Sequence, residues 1–314
     1  MSVEKIRFEA PSTDGIHTLR GVVYLPSGDT KGYFHVVHGM TEHIERYHAF
    51  MTKVAENGYI CFGYDHVGHG YTAENDGELG YISKKDGDVI LARDVGAFYT
   101  AVSKKHGKEL PYFLMGHSMG SFVVRRACEI SVSPDGLVIM GTGGKNPAAV
   151  PALILIRIIR TLFGDKHISP LLNKLAFGSY NDRFGGGSES DPKPWLTCDE
   201  EIRKAYYADK FCTFDFTVTA MGDLIRLIKN VNSKAWYANF PKDLPVLIVS
   251  GADDPVGNYG KGVREVEDGL VRAGCTAKCI IYEGARHEIL NDHTREKVTS
   301  DILGFINSET AKAV

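Results

Sequence analysis

Pro111-Tyr112-Phe113-Leu114-Met115-Gly116-His117-Ser118-Met119-Gly120-Ser121-Phe122-Val123-Val124 carries the strongest structural signal in the chain. Its apolar run behind Pro111 reads as a buried strand. A helix-compatible run from Met119 to Ile130 follows almost at once. Between them, Gly116-His117-Ser118-Met119-Gly120 fits G-x-S-x-G, the pattern of a serine forced onto a sharp strand-to-helix turn with Oγ projecting from the end of a sheet. The two glycines leave room where the strand and helix backbones converge. Ser118 is therefore a candidate nucleophile, and the rest of the chain has to supply a base, an acid that orients it and donors for an oxyanion.

Working outward, strands are expected at 5–9, 19–25, 32–38, 59–65, 136–141, 245–250 and 276–283. Helices are expected at 47–57, 86–106, 259–273 and 292–307, with Gly58 and Gly107 closing the first two. The first two strands flank the turn-forming Ser12-Thr13-Asp14-Gly15 and read as an antiparallel hairpin at one sheet edge. The remaining strands alternate with helices, which makes this an α/β chain: a mostly parallel central sheet covered by helices on both faces. Alternation stops between 142 and 235, where 148–163 is intensely apolar and 199–208 and 216–231 carry helical patterns. The expected organisation is a core at 1–141, a helical cap or lid insertion at 142–235, and the second part of the core at 236–314.

Composition narrows the class. Hydrophobic content of 43% and charged content of 24% over 314 residues belong to an ordinary globular chain with a sizeable core. A net charge of −3 and the lack of a basic stripe exclude nucleic acid as an expected partner. Met1-Ser2-Val3-Glu4-Lys5 lacks the apolar core of a signal peptide, so a cytoplasmic location is expected. The apolar stretch at 148–163 is too short for a bilayer and carries Arg157 and Arg160, so no transmembrane segment is expected. It reads as a cap helix packed on the core; lining an acyl-chain pocket or touching a lipid surface are the alternatives. Six scattered cysteines, with Cys61 and Cys128 inside apolar runs, read as free thiols, and Cys275 with Cys279 has no second pair to complete a zinc site.

Twelve histidines compete for the role of base. His287 follows the last strand and so reaches the strand carboxyl ends, the rim to which Ser118 is delivered. His293 falls in or near the next helix and His35 inside a strand. The acid should follow another strand, at Gly251-Ala252-Asp253-Asp254-Pro255. Pro255 pushes the residue before it into extended backbone, which favours Asp254 over Asp253. Backbone N–H groups of Met119, next after the serine, and Met40, behind Gly39 and the third strand, are the candidate oxyanion donors. His35 with His38 and His66 with His69 have H-x-x-H spacing, but without clustered carboxylates or cysteines no metal is expected there. His287-Glu288 resembles the start of H-E-x-x-H, yet His293 is six residues on, so the two could not share a metal from one helix face.

His38-Gly39-Met40-Thr41-Glu42-His43 with Arg46-Tyr47, then Asp65-His66-Val67-Gly68-His69-Gly70, then Gly116-His117-Ser118-Met119-Gly120, resemble the lysophospholipase and monoacylglycerol-lipase branch of the α/β-hydrolases. Gly251-Ala252-Asp253-Asp254-Pro255-Val256 and Glu283-Gly284-Ala285-Arg286-His287 match the same branch. The likeness covers nearly the whole core; in the cap it extends only to position and size. It implies an α/β-hydrolase fold and a triad in the order Ser118, Asp254, His287, with the acid at the fourth residue from the glycine. It also implies a serine hydrolase that cleaves single-chain acyl esters such as monoacylglycerols or lysophospholipids, with no cofactor. Short-chain esters, thioesters and amides are alternatives on the same triad, since cap shape sets substrate choice, and the label serine aminopeptidase attaches to such sequences without implying peptide cleavage. Aspartate-dependent dehalogenase or epoxide-hydrolase chemistry is disfavoured by serine at the elbow. A ligand-binding protein without catalysis is the reading from another class, opposed by the joint presence of serine, acid and histidine.

Overall fold

Among the described residues, eight strands form one sheet: β1 (Glu4–Pro11), β2 (Thr18–Leu25), β3 (Gly32–Val37), β4 (Tyr59–Tyr64), β5 (Tyr112–His117), β6 (Gly136–Met140), β7 (Val246–Gly251) and β8 (Ala277–Tyr282). The structure is a computed structural model that describes residues 3–107 and 109–313; Met1 and Ser2, the head of the stretch read for a signal peptide, lie outside them. Strand order is β1-β2-β4-β3-β5-β6-β7-β8. The hairpin pairs antiparallel and joins β4 antiparallel, and every other pairing is parallel. β3 to β7 are buried along their whole length, which is why they read as continuous apolar runs rather than as alternation.

The sheet is covered by α1 (His48–Glu56), α2 (Gly87–His106), α3 (Met119–Ile130) and, after an insertion, α9 (Lys261–Arg272) and α10 (Arg295–Ala313). α1 and α10 bury Met51, Val54, Val298 and Ile302 against one face, while α2, α3 and α9 bury Leu91, Val95, Val123 and Val266 against the other. The insertion between β6 and β7 contributes α4 (Ala149–Phe163), α5 (Pro170–Phe177), α6 (Glu200–Ala208), α7 (Val218–Val231) and α8 (Lys234–Asn239).

Boundaries shift where capping decides them. Thr217 caps α7 by accepting the Ala220 N–H, so the helix begins at Val218 and not at 216. α5 and α8 were not expected at all. Each is short, and each is started by a serine, Ser169 and Ser233, whose hydroxyl accepts the N–H of the third helical residue, Leu172 and Trp236. The expected boundary at 235 falls inside α8.

α4 turns Ile156 and Ile159 inward, and Ile156 meets α7 beside Gly222. Its other side stays bare: Val150, Ile154, Ile158 and Leu162 are between 52% and 69% exposed, and Leu171 and Leu175 of α5 extend the same apolar character. Among the described residues no helix is long and apolar enough to cross a membrane.

Candidate active site

The chain passes from β3 to β4 on one side of the sheet and returns to β5 on the other, so a crevice opens at the carboxyl ends of β3 and β5. Ser118 is the single residue between β5 and α3, with φ 53° and ψ −120°. Positive φ in a residue with a side chain is a strained backbone state, held here from both ends. The Ser118 N–H donates to the Met140 carbonyl at 3.0 Å, and a Cβ at Gly120 would come within 2.2 Å of the Val37 carbonyl oxygen, so only glycine fits there. The loop after β3 passes equally close: a Cβ at Gly39 would lie 2.9 Å from the Ser118 Cβ. Met40, Ser118, Met119 and His287 line one cavity of about 400 Å³.

Asp254 and His287 meet behind it. Nδ1 of His287 donates to Oδ2 of Asp254 at 2.9 Å. A carboxylate only accepts, so Nδ1 carries a proton, and in the neutral ring Nε2 is left as the acceptor. The other carboxylate oxygen accepts the Val256 N–H at 2.9 Å. Asp254 is fully buried, whereas Asp253 is partly exposed and tied down through its backbone to Ala285. The Trp195 ring stands 5.1 Å from the His287 imidazole, and the His287 and Glu288 N–H groups donate to the Trp195 and Leu196 carbonyls. Thus the inserted segment around Trp195 holds the histidine loop. The competing histidines lie elsewhere: His293 pairs with Asp292 with its side chain 57% exposed, and His35 is buried in β3 against Tyr112.

A buried ionic cluster beside the serine was not singled out from sequence. Oε1 of Glu42 accepts the Gly39 N–H at 2.6 Å, the Tyr47 hydroxyl at 2.9 Å and Nδ1 of His117 at 3.1 Å. Oε2 accepts from Arg46 at 3.0 Å, and Arg46 makes a bidentate pair with Glu288 at 2.7 Å. Burial alone would raise the Glu42 pKa, but His117 and Arg46 hold it well below the usual carboxylate range. For His117, burial would favour the neutral ring and the Glu42 carboxylate outweighs it, so its pKa is raised. The cluster joins the Gly39 loop to the residue after His287. Its signal was present in the Glu42, Arg46 and Tyr47 of the family-like motif, but nothing in the local sequence announces Glu288 as their partner.

The H-x-x-H histidines pack as neutral rings. His38, His66 and His69 pack in tilted and edge-on contacts with centroids 4.4 to 5.9 Å apart. Nε2 of His38 accepts the His66 backbone N–H at 3.0 Å. Burial first, and mutual repulsion second, push His66 down to about 3; burial takes His69 down to about 4. Atoms suited to a metal come within 4.8 Å of one another in His43, Asp209 and Cys212, and again in Cys198, Asp292 and His293. In each group the histidine already pairs with its aspartate, at 2.8 Å and 2.7 Å.

The cavity has two unlike sides. Phe122 and Val256 converge on Gly143, on the side of β6 and β7, and Leu224 and Ile228 add one face of α7. Thr41, Lys193 and Tyr206 line it toward the loop after β3. No residue of α4 lines the cavity among the described residues, so the alternative of a helix facing an acyl pocket is removed, along with the link from this apolar stretch to an alkyl chain, while the cap-helix reading of 148–163 stays. Periodicity showed an apolar stretch, but the inner face of α4 is consumed by α7, and α7 itself faces the cavity.

A family profile described as Hydrolase_4, serine aminopeptidase S33, matches residues 28–294. A monoacylglycerol lipase of Mycolicibacterium smegmatis is 24% identical over 315 residues, spanning 95% of this chain and 98% of its own. The crystal structure of a highly thermostable carboxyl esterase from Bacillus coagulans, in complex with glycerol, superposes with a TM-score of 0.90 at 29% identity and covers 99% of both chains. A soluble variant of the monoglyceride lipase of Saccharomyces cerevisiae, at 18% identity, shares the fold with a TM-score of 0.73 over 98% of this chain and 95% of that one.

Proposed function

We propose, from the premise that this chain belongs to the serine aminopeptidase S33 family of α/β-hydrolases, that it hydrolyses carboxylic esters of single acyl chains through an acyl-enzyme. The observation that carries the reading is the shared cavity of Ser118 and His287, with Asp254 hydrogen-bonded to Nδ1 of the imidazole. Ser118 Oγ attacks the acyl carbonyl while Nε2 of His287 takes its proton. Asp254 fixes the tautomer and stabilises the imidazolium. The N–H groups of Met40 and Met119 receive the oxyanion, and the N-terminal position of Met119 in α3 adds the helix dipole. His287 then protonates the leaving alcohol, and the acyl-enzyme yields to a water activated by the same base. The apolar side formed by Phe122, Leu224, Ile228 and Val256 suits an alkyl chain.

The insertion acts as a cap over this cavity in the same reading, and its bare α4–α5 face is the surface that meets lipid. Support comes from its composition: exposed Ile154, Ile158, Leu162 and Phe163 beside exposed Arg157, Lys166 and Lys174, a pairing of apolar and basic groups that fits an anionic interface.

Fluorophosphonate labelling tests the nucleophile: native protein should label and Ser118→Ala should not. p-Nitrophenyl esters of graded chain length, run beside aminoacyl amides, test the substrate class. Equal labelling of Ser118→Ala refutes the nucleophile assignment, and a strong preference for the amides refutes the ester reading.

A further inference from the structure

Lys193 has no role in the chemistry above, yet it lines the cavity. It stands in Asp191-Pro192-Lys193-Pro194-Trp195, where prolines on both sides restrict the backbone. Its own N–H donates to the Tyr207 hydroxyl at 2.9 Å. Two residues on, Trp195 packs on the His287 ring, so the lysine is held in register with the base. Nζ reaches the Tyr206 hydroxyl at 3.3 Å and lies 5.0 Å from the centre of that ring. The same hydroxyl donates to the Thr41 carbonyl at 2.9 Å, one residue beyond Met40. The ammonium therefore sits on the β3 side of Ser118, across from the apolar wall of Phe122 and Val256.

An ammonium has three protons to donate, and among the described residues this one makes no ion pair. Glu42 and Glu288 nearby are already taken by Arg46. Burial lowers the Lys193 pKa more than Asp215, Cys212 and Glu288 raise it, and Arg46 lowers it further, so its charge is under-compensated where it stands although Asp215 lines the same cavity. A neutral hydroxyl would need only a neutral partner; a desolvated cation facing a cavity is satisfied by an anion.

We infer that Lys193, supported by Tyr206 and Thr41, forms a subsite for an anionic group, phosphate or carboxylate, on the alcohol portion of the ester, while the acyl chain lies along Phe122, Leu224 and Val256. This rests on the ester-hydrolase reading and narrows its substrate to esters whose leaving alcohol is negatively charged.

The test compares three octanoyl esters: monooctanoylglycerol, its glycerol-phosphate counterpart and the octanoyl ester of glycolic acid. The native enzyme should favour one or both anionic esters in kcat/KM, and the preferred one identifies the anion as phosphate or carboxylate. In Lys193→Met the ratio of anionic to neutral kcat/KM should fall about tenfold to a hundredfold, mainly through KM, the scale of a lost charge-assisted hydrogen bond. Lys193→Arg should restore most of that ratio, which a merely structural lysine would not do. A ratio unchanged in Lys193→Met, or a native preference for the neutral ester, overturns the subsite while leaving the ester reading intact. Native protein that cleaves none of the three, nor p-nitrophenyl butyrate, overturns both.

Discussion

Replacing Glu42 by glutamine tests whether the ionic cluster governs catalysis or only stability. The carboxylate accepts from four donors, three on Oε1 and one on Oε2. An amide has one acceptor oxygen and one NH₂. With its oxygen in the Oε1 place, the NH₂ faces Arg46, donor against donor; turned over, it faces the Gly39 N–H, Tyr47 and His117. At least one charge-assisted bond is lost and the Arg46–Glu288 pair loses its second carboxylate, so unfolding free energy should fall by about 2–3 kcal/mol. Catalysis should fall for a separate reason. The Gly39 N–H, held at 2.6 Å by Glu42, anchors the turn from which, in the proposed mechanism, Met40 would present its N–H. Complete loss of an oxyanion donor costs about 10²–10³ in rate, so a displaced one should cost about tenfold to a hundredfold in kcat with KM changed less. Urea unfolding and p-nitrophenyl butyrate kinetics at saturating substrate read the two effects. If Glu42→Gln is destabilised but keeps kcat within twofold, the link from the cluster to the oxyanion turn is wrong.

Asp254→Asn should lower kcat by about 10⁴, the scale for a triad aspartate, while the partly exposed Asp253 tolerates the same change with far less loss; the reverse pattern would move the acid by one residue. His69 is buried neutral with its pKa held down to about 4, so the unfolded chain binds a proton there before the folded one does. That contribution is complete above about pH 6.5 and fades as pH falls toward 4. Relative to His69→Asn, native protein should therefore lose about 2 kcal/mol of its advantage between pH 7 and pH 5 in urea unfolding, and a pH-independent difference refutes the assignment. Ile158→Gln and Leu162→Gln, on the bare side of α4, should each weaken sedimentation with anionic vesicles by about fivefold, from roughly 1 kcal/mol of lost apolar burial, and leave hydrolysis of a soluble ester unaltered. Equal vesicle binding by both variants would rule out this face as the lipid contact.

The sheet and the serine turn are written in local residue patterns. Tyr112 to Ile130 reads as strand, turn and helix because burial periodicity and glycine tolerance are local properties, set by residues within a few positions of one another. The meeting of Asp254 and His287 was legible for a related reason: each follows a strand, and parallel pairing delivers the carboxyl ends of β3 to β8 to one rim. Capping serines at 169 and 233 were equally local, though their helices were too short for periodicity to reveal. Tertiary structure alone decided which way the insertion faces. An apolar run such as α4 states that a helix has a side to bury, not what it is buried against; here α7 takes that side, and the outer side is left bare. Likewise, Glu42 meets His117 across 75 positions, and Tyr206 meets Thr41 across 165. Such pairings depend on how separately formed elements dock, because charge and hydrogen-bond complementarity act through space and leave no period in the chain.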